Sequence, residues 1–128
     1  MNPSVLVSWG ELLDKVTILE IKAQRLKSEA ALANVRHELG QLSAFAAKAE
    51  SLNPGIAVLK AELKRINETL WQIEDDIREK EAAKSFDAEF IRLARAVYHS
   101  NDERGRVKQT INKLLKSDIT EEKQYSAY

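Results

Sequence analysis

The stretch IAVLKAELKRINETLWQIEDDI, residues 56–77, sets Ile56, Leu59, Leu63, Ile66, Leu70, Ile73 and Ile77 at alternating spacings of three and four. An unbroken apolar stripe of that period is what a helix packed lengthwise on other helices requires. The fold class follows: all-α, with long helices in coiled-coil-like contact. Immediately upstream, Leu52-Asn53-Pro54-Gly55 is a stop-and-turn signal, because proline cannot continue a helix and Asn and Gly tolerate left-handed backbone. Downstream, Ser85-Phe86-Asp87 interrupts the pattern, with Asp87 as N-cap of the next helix and Phe86 set to staple onto Ile91.

Working outward, Ser8-Trp9-Gly10-Glu11 reads as a capping box that starts the first helix. Leu12, Val16, Leu19, Ala23, Leu26, Ala30 and Ala33 then recur at four and three, and the seam resumes shifted at Val35, Leu39, Leu42, Ala46 and Ala49. The spacing predicts one helix over about 9–50, with a bend near Ala33 or at Gly40 as the alternative. Further helices are expected over about 56–84 and 88–116, followed by an irregular tail, 117–128, pinned by Ile119, Tyr125 or Tyr128. The last helix carries Asn101, Arg104 and Lys108 where its apolar seam should continue. Either it breaks near Ser100, where Ser100-Asn101-Asp102-Glu103 repeats a capping-box pattern, or those polar residues point inward to partners.

Residues 1–128 then form a single domain of three antiparallel helices. In that register residues 9–23 extend beyond their neighbours, leaving Trp9, Leu12, Leu13, Val16, Ile18, Leu19 and Ile21 uncovered. A straight first helix therefore predicts a homodimer or higher oligomer that covers them.

Twenty Lys and Arg balance twenty Asp and Glu, and residues 1–50 alone carry six of each sign. A nucleic-acid coat would show a basic excess, so nucleic acid is not an expected partner. With no cysteine there is no disulfide framework, thiolate metal site or cysteine nucleophile. No run approaches the ~20 apolar residues of a membrane helix. Met1–Val7 lacks a basic segment before its short apolar run, so the expected location is the cytoplasm, with no membrane partner.

Candidate chemistry lies on three faces. Lys15, Lys22 and Arg25 share one side of the first helix with Glu11 and Glu29, and form either a solvated flank or a strip for a carboxylate or phosphate. Asn67, Trp71, Glu74, Arg78 and Glu81 form a line beside the Ile/Leu stripe. There Glu74 and its acidic neighbours are expected to pair with Arg92 and Arg95 of the next helix, with ligation of a divalent cation as the alternative, and Trp71 to serve as packing first and as a stacking surface second. Asn101, Asp102 and Arg104, with Tyr98 and Lys108, complete the set as a buried network or a ligand site. His37 and His99 are far apart, so no metal site is expected, and nothing implies a cofactor. No Gly-rich phosphate loop or nucleophile triad is present.

The strings Gly10–Lys22 (GELLDKVTILEIK), Leu70–Arg78 (LWQIEDDIR) and Phe90–Tyr98 (FIRLARAVY), the last followed by Asn101-Asp102-Glu103-Arg104, resemble a family of small bacterial proteins of unknown function. The resemblance spans nearly the whole chain. It implies a context of cell-surface polysaccharide and glycosyltransferases, and no activity, cofactor or catalytic residue. Two readings follow, and the sequence reveals no reaction. One is a cytoplasmic, self-associating helical interaction module with a possible protein partner. The other is a small enzyme or ligand-binding protein whose inter-helix site for an anion, such as a nucleotide sugar, is built from Lys15, Lys22, Arg25, Glu74, Arg78, Asn101, Asp102 and Arg104.

Overall fold

The computed structural model describes residues Met1–Tyr128 and contains four helices: α1 (Trp9–Arg25), α2 (Glu29–Leu52), α3 (Ile56–Ala82) and α4 (Ala88–Leu114). No strand forms. The expected first helix over 9–50 is thus two helices, and the corner falls at residues 26–28, upstream of both Ala33 and Gly40. Leu26 turns extended (φ −69°, ψ 144°), and Ser28 caps α2 by accepting from the Ala31 N–H at 3.3 Å. Ala30 and Ala33, read as part of one seam, are exposed. The α2 stripe begins instead at Leu32 and continues through Val35, Leu39, Leu42, Ala46 and Ala49, all buried or half-buried, at 3, 4, 3, 4, 3. Two stripes with independent phases need a corner between them, and the polar Lys27-Ser28-Glu29 supplies it.

That corner removes the overhang. α1 folds back on α2 and also packs against α3 and α4, while α3 pairs along α4 and touches α2 little. Leu13, Val16, Leu19 and Ile21 are buried within this one chain. Burying such side chains is worth ~1.5–3 kcal/mol each, enough to favour the hairpin over an extended rod. The straight first helix on which the expected dimer rests does not form. The core joins Leu13 and Val16 of α1, Ala46 and Ala49 of α2, Ile56, Leu63 and Ile66 of α3, and Val107 and Ile111 of α4. Early α1 meets late α2 and early α3 meets late α4, so each hairpin is antiparallel.

The remaining boundaries follow local chemistry. Ser8 accepts from the Glu11 N–H at 3.1 Å, but Glu11 does not complete the box: its carboxylate reaches Lys108 instead. Asn53 closes the α2–α3 turn by accepting from the Gly55 N–H at 2.8 Å. Asp87 caps α4 through the Phe90 N–H at 3.0 Å. Phe86 stacks edge-on against Phe90, 5.2 Å between centroids, and both Phe86 and Ile91, the expected staple pair, are more than half exposed. α4 runs unbroken through Ser100, so of the two alternatives the inward-facing polar seam holds. No helix is long and apolar enough to cross a membrane.

Beyond α4, Lys116 adopts a left-handed conformation (φ 55°), and the chain turns back along the helix. The Glu121 carboxylate meets Lys108 at 2.7 Å, and Tyr128 donates its hydroxyl to Asp102 while its ring packs on Tyr98 and His99. Of the three expected pins Tyr128 makes these contacts, although its side chain is exposed, as those of Ile119 and Tyr125 are.

Candidate ligand-binding cleft

The inward polar seam of α4 meets polar residues from α1 and α3 because each would be costly to bury alone. Asn67, 5% exposed, is the hub. Its Nδ2 donates to Asp14 Oδ1 at 2.8 Å and to Thr17 Oγ1 at 3.0 Å, and its Oδ1 accepts from Arg104 Nη1 at 3.0 Å. Arg104 Nη2 donates in turn to Asn101 Oδ1 at 2.8 Å. The network ties three helices together and fixes the guanidinium plane. No carboxylate lies within 4.0 Å of that guanidinium, so its charge is uncompensated by direct pairing.

Arg104 opens on a cleft of about 510 Å³ between α1, α3 and α4, a size in the range of small-ligand sites. Ile18 and Ile21 of α1, Leu70 of α3 and Val97 of α4 supply apolar walls. Of the line read from the sequence, Asn67, Trp71, Glu74 and Arg78 border it, joined by Asp75, whereas Glu81 does not and pairs with Lys84 at 3.7 Å. Helical spacing accounts for this: residues three and four apart project from one side. Glu74 pairs with Arg78 at 3.1 Å within α3. The expected cross-helix pairing of these acids with Arg92 and Arg95 is not found; Arg92 binds Glu89 of its own helix, and the α3–α4 ion pairs are Arg65–Glu103 and Lys80–Asp87.

The eight candidate residues therefore divide. Glu74, Arg78, Asn101 and Arg104 line the cleft. Arg25 is not a lining residue, but its guanidinium carbon lies 5.8 Å over the ring of Trp71, which is. Lys15 is drawn to α2 by Glu38 at 3.1 Å, Lys22 is not among the lining residues, and Asp102 is held by Tyr128. The cationic strip of the first helix is thus not one site, because its spacing spreads it between the α2 side and the Trp71 ring. Asp14 and Thr17 are members the sequence reading missed; their signal was a polar pair beside buried Leu13 and Val16.

A second cluster adjoins the first through Asp14. Lys108, 7% exposed, bonds Glu11 at 2.8 Å and Glu121 at 2.7 Å, with Asp14 at 3.9 Å. Burial pulls the ammonium pKa down, but hydrogen bonds to Glu11 and Glu121 outweigh it and hold Lys108 above its ordinary value. The same contact holds the Glu121 carboxyl below its own. Lys108 is therefore consumed by internal partners, whereas Arg104 remains available to an external anion. No group of three or more His, Asp or Glu side chains is arranged to hold a metal ion.

No curated protein and no solved structure matches the chain. A family of unknown function, DUF6165, matches residues 3–128 and so takes in the four helices, every lining residue of the cleft and the returning tail. The chain belongs to that family.

Proposed function

We propose that this protein is a small-ligand-binding helical module whose cleft takes an anion, phosphate or carboxylate, on Arg104. The observation that carries the reading is the guanidinium itself: oriented by Asn67 and Asn101, free of any carboxylate within 4.0 Å, and facing an open space with apolar walls. A preorganised fork of donors binds oxyanions bidentately and loses little entropy in doing so. Glu74, Asp75 and Arg78 at the other side give the ligand a polar second end. The absence of cysteine fits action in the cytoplasm, and the polysaccharide context implied by the family resemblance makes sugar phosphates and nucleotide sugars the first probes.

Thermal denaturation with inorganic phosphate, sugar phosphates and nucleotide sugars tests this. A probe at ~100 times its Kd adds ~2.7 kcal/mol to the native state. Stabilisation of the wild type by at least one of these, and none in Arg104→Gln, is the expected result. A wild type indifferent to the whole panel contradicts the reading.

Self-association is a second reading, now resting on a different observation. Val5, Leu6 and Val7 are exposed beside Leu42 and Phe45, and no charged side chain occurs in residues 1–10. Such a patch suits a second copy or another protein. Sedimentation of wild type and Leu6→Asp tests it: a dimer lost in the variant supports the reading, and a wild-type monomer removes it.

A further inference from the structure

Trp71 and Arg25 hold a geometry that the anion reading leaves unused. Arg25 is the last residue of α1, is exposed, has no carboxylate within 4.0 Å, and lies next to the non-helical corner at 26–28. Its guanidinium carbon sits 5.8 Å over the ring of Trp71, which lines the cleft. A planar ring in van der Waals contact with both groups needs about 7 Å between them, two contacts of ~3.5 Å. The guanidinium carbon is 5.8 Å from the ring centroid, so Arg25 has to move outward by at least about 1 Å to open that gap, and no side-chain hydrogen bond or ion pair holds it in place. Indole faces and guanidinium planes are the two surfaces on which nucleic bases stack in proteins.

The rest of the cleft is ordered to match. Glu74 and Asp75 follow Trp71 by three and four residues and therefore lie one turn along the same side of α3. Glu74, already paired with Arg78 at 3.1 Å, and Asp75 keep lone pairs that accept hydrogen bonds from hydroxyls. Arg104, from the opposing helix α4, offers its free N–H groups to an oxyanion. Along α3, Asn67 with its bonded Arg104 lies one turn before Trp71 and Glu74 and Asp75 one turn after it, so an anion on one side of the ring and hydroxyls on the other are read by different parts of the wall.

Resting on the anion reading above, we propose that the ligand is a nucleoside phosphate, its base stacked between Trp71 and Arg25, its ribose hydroxyls on Glu74 and Asp75, and its phosphate on Arg104. Trp71 is then a specificity-determining residue rather than packing alone.

Calorimetric titration of the full chain with adenosine 5′-monophosphate, ribose 5-phosphate and inorganic phosphate separates the two claims. Base stacking on an aromatic side chain predicts that the nucleotide binds about 5- to 150-fold tighter than ribose 5-phosphate. Trp71→Leu abolishes that difference while leaving ribose 5-phosphate unchanged. Trp71→Phe, which keeps an aromatic face and guards against a folding defect, retains most of it. In a Trp9→Phe background the nucleotide quenches the remaining indole emission and ribose 5-phosphate does not. If ribose 5-phosphate binds in an Arg104-dependent way and the base adds nothing, the stacking inference fails and the anion reading stands. If none of the three binds, or all bind Arg104→Gln as well as wild type, both fall.

Discussion

Asn67 shows how one amide can organise a site. It donates to Asp14 and Thr17 and accepts from Arg104, leaving no polar atom of its side chain idle. Asn67→Leu strands a buried carboxylate and should cost ~1–3 kcal/mol, the usual penalty for an unsatisfied buried group. Arg104→Gln, at a half-buried position with solvent on one side, should cost less. Urea unfolding of the two variants checks the order, and the reverse order would mean that Arg104 is primarily structural. The line Asn67, Trp71, Glu74, Arg78 was legible in the sequence because helical period alone puts those residues on one side. The fates of Lys15 and Lys22 were not legible, because α1 presents its faces to three different helices and sequence spacing does not say which face meets which.

At the scale of elements, two glycines make opposite predictions. Gly10 lies where α1 meets α4: its N–H donates to Asn112 Oδ1 at 2.7 Å, and a Cβ there would stand 2.5 Å from the Lys108 backbone carbonyl oxygen. Gly10→Ala therefore has to push the helices apart and should lower stability by ~1–3 kcal/mol. A Cβ on Gly40, within α2, would meet nothing within 4 Å, so Gly40→Ala should gain up to ~1 kcal/mol from helix propensity. Opposite shifts in melting temperature check the pair; equal shifts would contradict the close α1–α4 approach.

The N-cap of α4 supplies a pH test. The Phe90 N–H, aided by Lys80, holds the Asp87 carboxyl down at about 2 from 3.8. A depressed carboxylate stabilises the fold above its unfolded pKa and loses that contribution as pH falls through the folded value. The stability of wild type over Asp87→Asn should thus be full above about pH 4 and shrink towards pH 2, read from melting temperatures along the pH series. A gap that does not change with pH would contradict the cap.

Boundaries at this scale were readable wherever one chemical signal acted alone, as at Asn53-Pro54-Gly55 and Asp87. The α1–α2 corner was not, because Ala30 and Ala33 continue an apolar seam on paper while lacking the bulk to anchor one. Leu32 and Val35 outcompete them, and the seam restarts with them.

For the whole molecule, the consequence of that corner is that α1 is covered by its own chain. Folding and association then become separable: Leu6→Asp should leave helical circular dichroism and the melting temperature of dilute protein unchanged, whatever it does to assembly. Loss of helicity in that variant would show that the exposed arm belongs to the core. Covering α1 internally also builds the cleft, since α1 brings Asp14, Thr17 and Ile18 against α3 and α4. The inward polar seam of α4, one of two alternatives in the sequence, is what that arrangement requires.

At the centre stands the Arg104 guanidinium, free of any carboxylate within 4.0 Å, as the group that receives an anion in this cleft. Side-chain NMR reads it directly, by titrating isotope-labelled protein with inorganic phosphate and adenosine 5′-monophosphate while following Arg104 Nε–H, the Asn67 and Asn101 amides and the Trp71 indole N–H. The account predicts saturable shifts led by Arg104 and its two asparagines with either probe, and by Trp71 with the nucleotide alone. Shifts clustered instead around Lys108 and the returning tail, or none at any concentration, would contradict it.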